Sequence, residues 1–420
     1  MSMKNLLSTY KGLPKEIYVL FIGKIVNCIG AFVHPLMSLI LTQRVGMSAF
    51  EAGKFITMLA ICQVPCMILG GKLSDSIGRR KVIIVFQILG ASMLVICGLL
   101  PTTELTAKIM ILSACFYAIS SPAYDALNAD LTHEGNRKEA YSLLYMGINI
   151  GFSIGPILGG FLYKNYLPLI FIGDAFTTII ALILFIIYVE EPKKIISKKD
   201  IYEKEEYMID KYANTSTIKV LFQKPILILF PIIMILYQFS YSQWGFSLPL
   251  QMGELFGEDG AKLYGFLGAF NAVIVILSTP ILTHKTKEYN SLNVMSLGGV
   301  LYGLCFLVIV FSKVMPLFFI AVFLLTLGEV LIAINNSAFI ANNTPPSHRG
   351  RISSIIPIVS GIGYALGPMV MGKIIDSNGI FMAWMLVTVV SFIGALELIL
   401  LKKLTIKEIK HKNLLSRKNN

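Results

Sequence analysis

Charged side chains are scarce in this sequence: Asp, Glu, Lys and Arg make up 14% of its 420 residues, against 55% hydrophobic ones. A water-soluble fold cannot hide that much apolar surface in one or two domains, so a soluble enzyme or binding module is excluded. Cysteine is sparse too, and the six present, Cys28, Cys62, Cys66, Cys97, Cys115 and Cys305, all fall inside hydrophobic runs. They show neither paired extracellular spacing nor metal-ligand spacing, which points to free core thiols and to no metal site. No Gly-rich phosphate loop ending in Lys and Ser or Thr occurs, which argues against ATP-driven work. No cluster of His with Cys, and no paired acids at a shared depth, offers a reaction centre, so neither enzyme chemistry nor a cofactor is expected. Segments of alternating polarity, the mark of a membrane barrel, are also missing.

What the chain does have is hydrophobic length. Runs of about twenty mostly apolar residues recur throughout, the number a helix rising 1.5 Å per residue needs to cross about 30 Å of hydrocarbon. Twelve can be counted, at 17–41, 53–70, 82–100, 109–127, 142–162, 167–189, 225–248, 263–282, 292–310, 317–340, 352–372 and 380–401. The expected fold class is therefore all-α integral membrane with twelve transmembrane helices. The first run is too long for a removable signal peptide and lacks its small-residue cleavage site.

The net charge of +12 could suggest a nucleic-acid partner, but its distribution reads as topology. With both termini in the cytoplasm, 28 of the 36 Lys and Arg fall on inner loops and tails. Six fall outside, Arg44, Lys108, Lys164, Lys262, Lys313 and Lys373, and two lie within spans. The expectation is a multi-pass protein of the cell membrane, with the lipid bilayer as partner and no nucleic acid. Lys402, Lys403, Lys407, Lys410 and Lys412 then face anionic headgroups.

The longest polar stretch, 190–224, mixes Lys193, Lys194, Lys198 and Lys199 with Glu203, Glu205 and Glu206, and it divides six spans from six. It reads as a solvated linker or in part an amphipathic surface helix. The organisation is then a cytoplasmic segment 1–16, a bundle 17–189, a linker 190–224, a second bundle 225–401 and a basic tail 402–420. The two halves repeat without a gap at an offset of 212 residues: Gly151, Gly155, Pro156 and Gly160 fall on Gly363, Gly367, Pro368 and Gly372. Upstream, Ala129, Thr132 and Arg137 fall on Ala341, Thr344 and Arg349. Duplicated six-helix bundles of this kind place a substrate site between the halves, near the midplane, in many secondary transporters.

Between the second and third runs stands Gly71-Lys-Leu-Ser-Asp75-Ser-Ile-Gly78-Arg79-Arg80-Lys81. Residue by residue it resembles the signature loop of the major facilitator superfamily. Gly71 and Gly78 would allow a tight reversal at the membrane surface. Asp75 reads as a buried charge that, with Arg79 and Arg80, forms a cluster or meets a neighbouring helix end. The alternative is a loop that needs only its basic residues. The fourth run leads through Asp130 to Arg137, which looks like the superfamily's partner segment, where an aspartate at the position of Asp130 contacts a basic residue of the loop. The resemblance implies a cytoplasmic gate made by these residues.

In the fifth run Gly147, Gly151, Gly155 and Gly159 recur every four residues, leaving one helix face without side chains for another helix to approach. Pro156 removes a donor for the carbonyl of Phe152. With Gly160, this set resembles the antiporter motif of the superfamily's drug and proton exchangers, although an upstream glycine is replaced by Ser142. The resemblance covers essentially the whole chain and is closest to the twelve-helix drug and proton antiporters. It departs in lacking an arginine in the fourth helix, since 112–121 holds no charge.

A charge at the bilayer centre costs about 3 kcal/mol, so the few that remain are candidate working parts. Glu329, twelve residues into the tenth run, is the acid placed nearest the midplane, and Asn336 shares its face. On the first run Lys24, Asn27, Ala31 and His34 follow 3, 4, 3 spacing along one helical stripe, with Pro35 able to kink the helix. Asp125 lies one turn from a helix end, whereas Asp174 and Glu397 read as interfacial. The seventh run offers Tyr237, Gln238, Tyr241, Gln243 and Trp244, suited to flat or cationic ligands or to interface anchoring.

The sequence thus predicts a secondary active transporter taking a small-molecule substrate and protons, with efflux of hydrophobic or cationic compounds in exchange for protons as the leading expectation. Uptake or facilitated passage of a sugar or organic acid is the alternative, and a membrane-embedded lipid enzyme ranks third. Substrate identity and oligomeric state stay open, with a monomer expected.

Overall fold

The computed structural model describes residues 10–132, 136–191, 215–345 and 348–418, with side chains left aside at 138, 217, 218, 337, 341, 349–351, 353, 354 and 405–418. Lys193, Lys194, Lys198, Lys199 and the acidic group Glu203, Glu205 and Glu206 of the linker lie outside the described residues. Among the described residues there is no strand. That is the outcome expected where lipid offers the backbone no hydrogen bonds, because a helix satisfies its own amides segment by segment.

In chain order the helices are α1 (Lys15–Ile29), α2 (Val33–Leu39), α3 (Ala49–Ile77), α4 (Arg79–Leu99), α5 (Glu104–Asp130), α6 (Arg137–Asn165) and α7 (Leu167–Tyr188). There follow α8 (Thr217–Gln223), α9 (Ile226–Ser242), α10 (Ser247–Phe256), α11 (Gly260–Thr286), α12 (Ser291–Phe311), α13 (Met315–Asn343) and α14 (Arg349–Lys418). Ten stretches among the described residues are long and apolar enough to cross a membrane. Two of these, Ile226–Thr286 and Ile355–Leu404, run for 61 and 50 residues, well over the roughly 20 that one crossing needs. The first is interrupted after Ser242 and at Gly257, and the second at Gly379, whose φ of 79° breaks the helix. Two crossings in each would give the twelve runs of the sequence.

Local signals set several boundaries. Ser48 caps α3 by accepting from the Glu51 amide at 3.2 Å, while the Glu51 carboxylate accepts from the Ser48 amide at 2.9 Å. Asn290 accepts from the Leu292 amide at 3.0 Å at the start of α12. One residue, Gly78 with φ 96° and ψ 149°, makes the turn from α3 to α4, a backbone state that only glycine adopts readily. Gly71, by contrast, lies within α3 with open space around it, so the reversal rests on Gly78 alone.

The chain forms two compact units, Met1–Ile195 with Gly245–Ile276, and Ile196–Trp244 with Leu277–Asn420. In the first unit the glycine face of α6 lies on α1. A Cβ at Gly147 would stand 2.9 Å from the Phe21 ring, and Cβ atoms at Gly151 and Gly155 would collide with Cys28 and with the carbonyls of Ile25 and Ile29. Gly159 faces Phe32, while Gly160 turns to the backbone of Ala261 and Lys262. Pro156, on the same helix, is approached by Gly265 and Gly268 of α11. One end of the unit is tied by Lys164 to Glu258 at 3.0 Å and by Arg44, whose guanidinium lies over the Tyr163 ring and donates to the Tyr163 carbonyl at 3.0 Å.

The second unit repeats the device 212 residues on. Cβ atoms at Gly363 and Gly367 of α14 would run into the Ile235 carbonyl and the Ser242 hydroxyl of α9. Pro368 follows directly and is buried. The repeat legible in the sequence is thus a repeated close helix-to-helix contact, of the kind small residues provide where lipid supplies no hydrophobic drive between helices. Gly363→Ala is expected to destabilise the purified protein by about 1–3 kcal/mol through overpacking. Gly361→Ala, two residues away with nothing within 4 Å of its Cβ, is its control and should leave the melting temperature unchanged or raise it.

Candidate membrane-embedded acid site

Glu329 stands at the midpoint of the 29-residue α13. Its neighbours are set by reciprocal glycines. A Cβ at Gly298 of α12 would lie 2.9 Å from the Gly328 carbonyl, and one at Gly328 would lie 2.7 Å from the Gly298 carbonyl, so the two backbones touch beside the acid. Tyr302, one turn on from Gly298, is thereby brought against Gly328, with its ring 2.8 Å from where a Cβ would be. From α9 the Tyr241 hydroxyl donates to Glu329 Oε1 at 3.0 Å. The Tyr241 and Tyr302 rings are nearly parallel, 16° apart with centroids at 6.3 Å. Tyr302 continues to Phe306, and Phe306 stacks on the buried Trp384 at 5.6 Å. A half-buried carboxylate therefore sits at the edge of an aromatic row drawn from α9, α12 and α14, a setting that suits a cation with apolar surface.

The other residues expected on the seventh run are dispersed. Tyr237 is buried and donates to the Met295 carbonyl at 3.2 Å. Gln243 turns back to the Phe239 carbonyl at 2.9 Å and the Ser242 hydroxyl at 2.7 Å, next to the break that ends α9. Gln238 and Trp244 are half-buried. Asn336, two turns beyond Glu329, is half-buried with its Oδ1 shielded from solvent and without a hydrogen bond among the described residues.

The stripe expected on the first run is not one continuous helical face, because the helix stops at Ile29 and resumes at Val33. Lys24 and Asn27 belong to α1, Ala31 lies in the gap, and His34 is exposed on α2. Lys24 rests over the Tyr124 ring at 5.2 Å, and Asn27 donates to Thr178 at 2.9 Å. Asp125 is exposed, and its carbonyl accepts from Tyr141 at 3.4 Å. Asp174 is not an interfacial residue in solvent: it lies seven residues into α7 and its Oδ2 accepts from the Val33 amide at 3.3 Å.

At the α3–α4 turn, Arg79 Nε lies 2.8 Å from Asp130 of α5. Arg137 closes the end of α5, donating to the carbonyls of Ala129 at 3.0 Å and Thr132 at 3.2 Å, a cation placed where helix carbonyls are left without partners. Asp75 departs from expectation, since it is exposed rather than buried. The acid that serves the turn is Glu191, just past α7. Its two oxygens accept from the Arg79 and Arg80 amides at 2.8 Å each, and the Arg80 guanidinium donates to the Ile186 carbonyl at 2.7 Å.

A helical fold with close glycine contacts repeated at a fixed offset, and with this charged turn, can be compared with known proteins. The sequence matches the Major Facilitator Superfamily over residues 20–292 and 263–419. The chain belongs to the Major Facilitator Superfamily. As a superfamily member it is a multi-pass membrane transporter and not an enzyme. It is 26% identical over 352 residues to the uncharacterized MFS-type transporter YqjV of Bacillus subtilis (strain 168), covering 82% of each chain. It is 21% identical to a Na(+), Li(+), K(+)/H(+) antiporter of Planococcus maritimus, covering 80% of this chain and 84% of that one. Among solved structures it resembles the peptide transporter POT in complex with sulfate, with a TM-score of 0.75 at 15% identity over 94% of this chain and 95% of that one. That likeness shows the superfamily fold.

Sequence reasoning missed Tyr302, Gly298, Gly328 and Glu191, and it read Asp174 as interfacial. Gly328 beside Glu329 was the available signal, as a small residue next to a membrane acid; Glu191 offered none, because its partner amides lie more than a hundred residues away. Removing Glu191 leaves two amides of the first turn of α4 uncapped, so Glu191→Ala is expected to cost about 1 kcal/mol of stability. Asp75→Asn should cost nothing measurable in the same thermal melt.

Proposed function

We propose that the protein is a secondary active exporter that moves small hydrophobic or cationic compounds out of the cell in exchange for protons, by alternating access. The observation that carries this reading is Glu329 in mid-helix, hydrogen-bonded to Tyr241 and flanked by the Tyr302 ring. A carboxylate at that depth must be neutral or paired with a cation. Proton and cationic cargo therefore compete for one place, because either relieves the same charge. Direction follows if the site opens alternately to the two sides: a proton entering from outside displaces cargo outward, and its loss to the cytoplasm readies the site again. Proton exchange is also the activity named for the Planococcus maritimus relative.

The orientation that goes with this reading puts both termini in the cytoplasm of a cell whose plasma membrane holds the protein, as the Lys and Arg distribution favours. The turn at Gly78 then lies inside, where Arg79, Asp130 and Arg137 form the gate. The segments 17–189 and 225–401 act as the two repeats, joined by 190–224.

Expressed in cells stripped of their own pumps, the wild type is expected to lower accumulation of a lipophilic cationic dye. Glu329→Gln, which keeps size and hydrogen bonding, should abolish that effect at unchanged membrane abundance. Equal export by wild type and variant would remove Glu329 from the mechanism, and accumulation of sugars or organic acids in place of dye export would favour the uptake alternative. Asp75→Asn should impair transport at normal insertion; full transport would reduce the loop to a topology signal. Gly328→Ala should weaken export by displacing Tyr302 from the acid.

A further inference from the structure

Asp174 is a membrane-embedded acid to which the export reading gives no part. It belongs to the first unit, whereas Glu329 belongs to the second. The two are not repeat mates: 212 residues on from Asp174 stands Leu386, and 212 before Glu329 stands Tyr117. Each unit therefore carries an acid of its own.

The surroundings of Asp174 are a broken helix. In a continuous helix the Val33 amide would bond the Ile29 carbonyl. Here α1 ends at Ile29, the Phe32 amide folds back to the Gly30 carbonyl at 2.7 Å, and the Val33 amide goes to Asp174 Oδ2 at 3.3 Å. Pro35 sits in the first turn of α2, where its missing N–H is tolerated. The gap is wedged against α7: a Cβ at Gly30 would collide with Thr177, whose hydroxyl donates to the Asp174 carbonyl at 3.1 Å, and a Cβ at Gly173 would lie 2.9 Å from the Phe32 ring.

We propose that Asp174 is a second proton-carrying acid of this transporter, ionised while the first membrane helix is broken at Gly30–Phe32 and protonated when the break closes. The physical argument is one of exclusive partners. The Val33 amide, with the Phe32 amide beside it, compensates the carboxylate only as long as these groups are not used by the helix itself. Closing the break returns the Val33 amide to Ile29 and leaves a bare charge about 10 Å along α7 from its start, which is too costly to persist without a proton. Proton uptake and the shape of the first helix are thereby linked.

The other titratable and charged groups around Asp174 come from several elements. Cys28 and, one turn further, Lys24 come from α1, His34 from α2, and Tyr117 from α5. Along α4, packed on α7, Gly98 faces Ile172 and charged side chains occur only at the far end, where Arg80 holds the Ile186 carbonyl. On α6 the nearby cation is Lys164, paired with Glu258.

The test needs no substrate. Full-length purified protein in lipid is carried through a pH titration, reading the infrared carbonyl stretch of protonated carboxyl groups and, corrected for intrinsic rate, hydrogen exchange of the peptide covering residues 28–35. In wild type a carboxyl band should appear on acidification over the same interval in which exchange of that peptide changes. Asp174→Asn should lose that band and the pH dependence of the exchange, while Glu329→Gln removes at most a different part of the band and leaves the peptide's response intact. Should Asp174→Asn fail to insert, Asp174→Glu must shift both midpoints together. A pH response of the peptide that persists in Asp174→Asn, or midpoints that separate in Asp174→Glu, would overturn the proposal. Loss of export in Glu329→Gln bears on the other acid alone.

Discussion

A helix in lipid must satisfy its own amides and carbonyls, and it can carry a charge only beside a partner. Among the described residues the apolar stretches are helical, with interior prolines such as Pro156 and Pro368 each removing one donor, and polar partners gather at the helix breaks and beside the acids. The first run breaks at Gly30–Phe32, and a carboxylate from α7 is present to meet a released amide. The seventh run breaks after Ser242, where Gln243 serves as its own chain's donor to Phe239. Glu329, the acid at mid-helix, has a tyrosine hydroxyl and the edge of an aromatic row. Interrupted helices and buried acids thus follow from one constraint, because each creates a polar group that lipid cannot serve.

Packing follows from the same constraint. With no hydrophobic drive between apolar helices, association depends on how closely backbones can approach. Glycines supply that approach at repeat-related places, Gly151 and Gly155 on α1 and Gly363 and Gly367 on α9. The Gly298–Gly328 contact has a second effect, since it holds Tyr302 within reach of Glu329. A small-residue contact there positions an aromatic ring beside the acid as well as joining two helices.

Much of this was legible in the sequence. Hydrophobic run lengths gave the helices, and the offset between Gly151-Gly155-Pro156 and its partner pointed to a duplicated packing face. Glu329 could be placed by counting residues along its run. What counting could not supply was the neighbour. Asp75 and Asp130 both lie near the ends of runs, yet one is exposed and the other meets Arg79. Asp174 looked interfacial because depth along its own helix says nothing about a gap in another. Pro35 is compatible with a kinked but unbroken helix, so the 3, 4, 3 stripe from Lys24 to His34 rests on a periodicity that the break interrupts. Such features depend on contacts across 100 residues or more of sequence.

The central claim is that one membrane acid trades a proton for cargo. Its most direct test is the pH of a weakly buffered solution of purified protein when a lipophilic cation such as tetraphenylphosphonium is added. The account predicts acidification in proportion to cation bound by wild type, and binding without proton release, or no binding, by Glu329→Gln. Cation binding that releases protons equally from both proteins would contradict it.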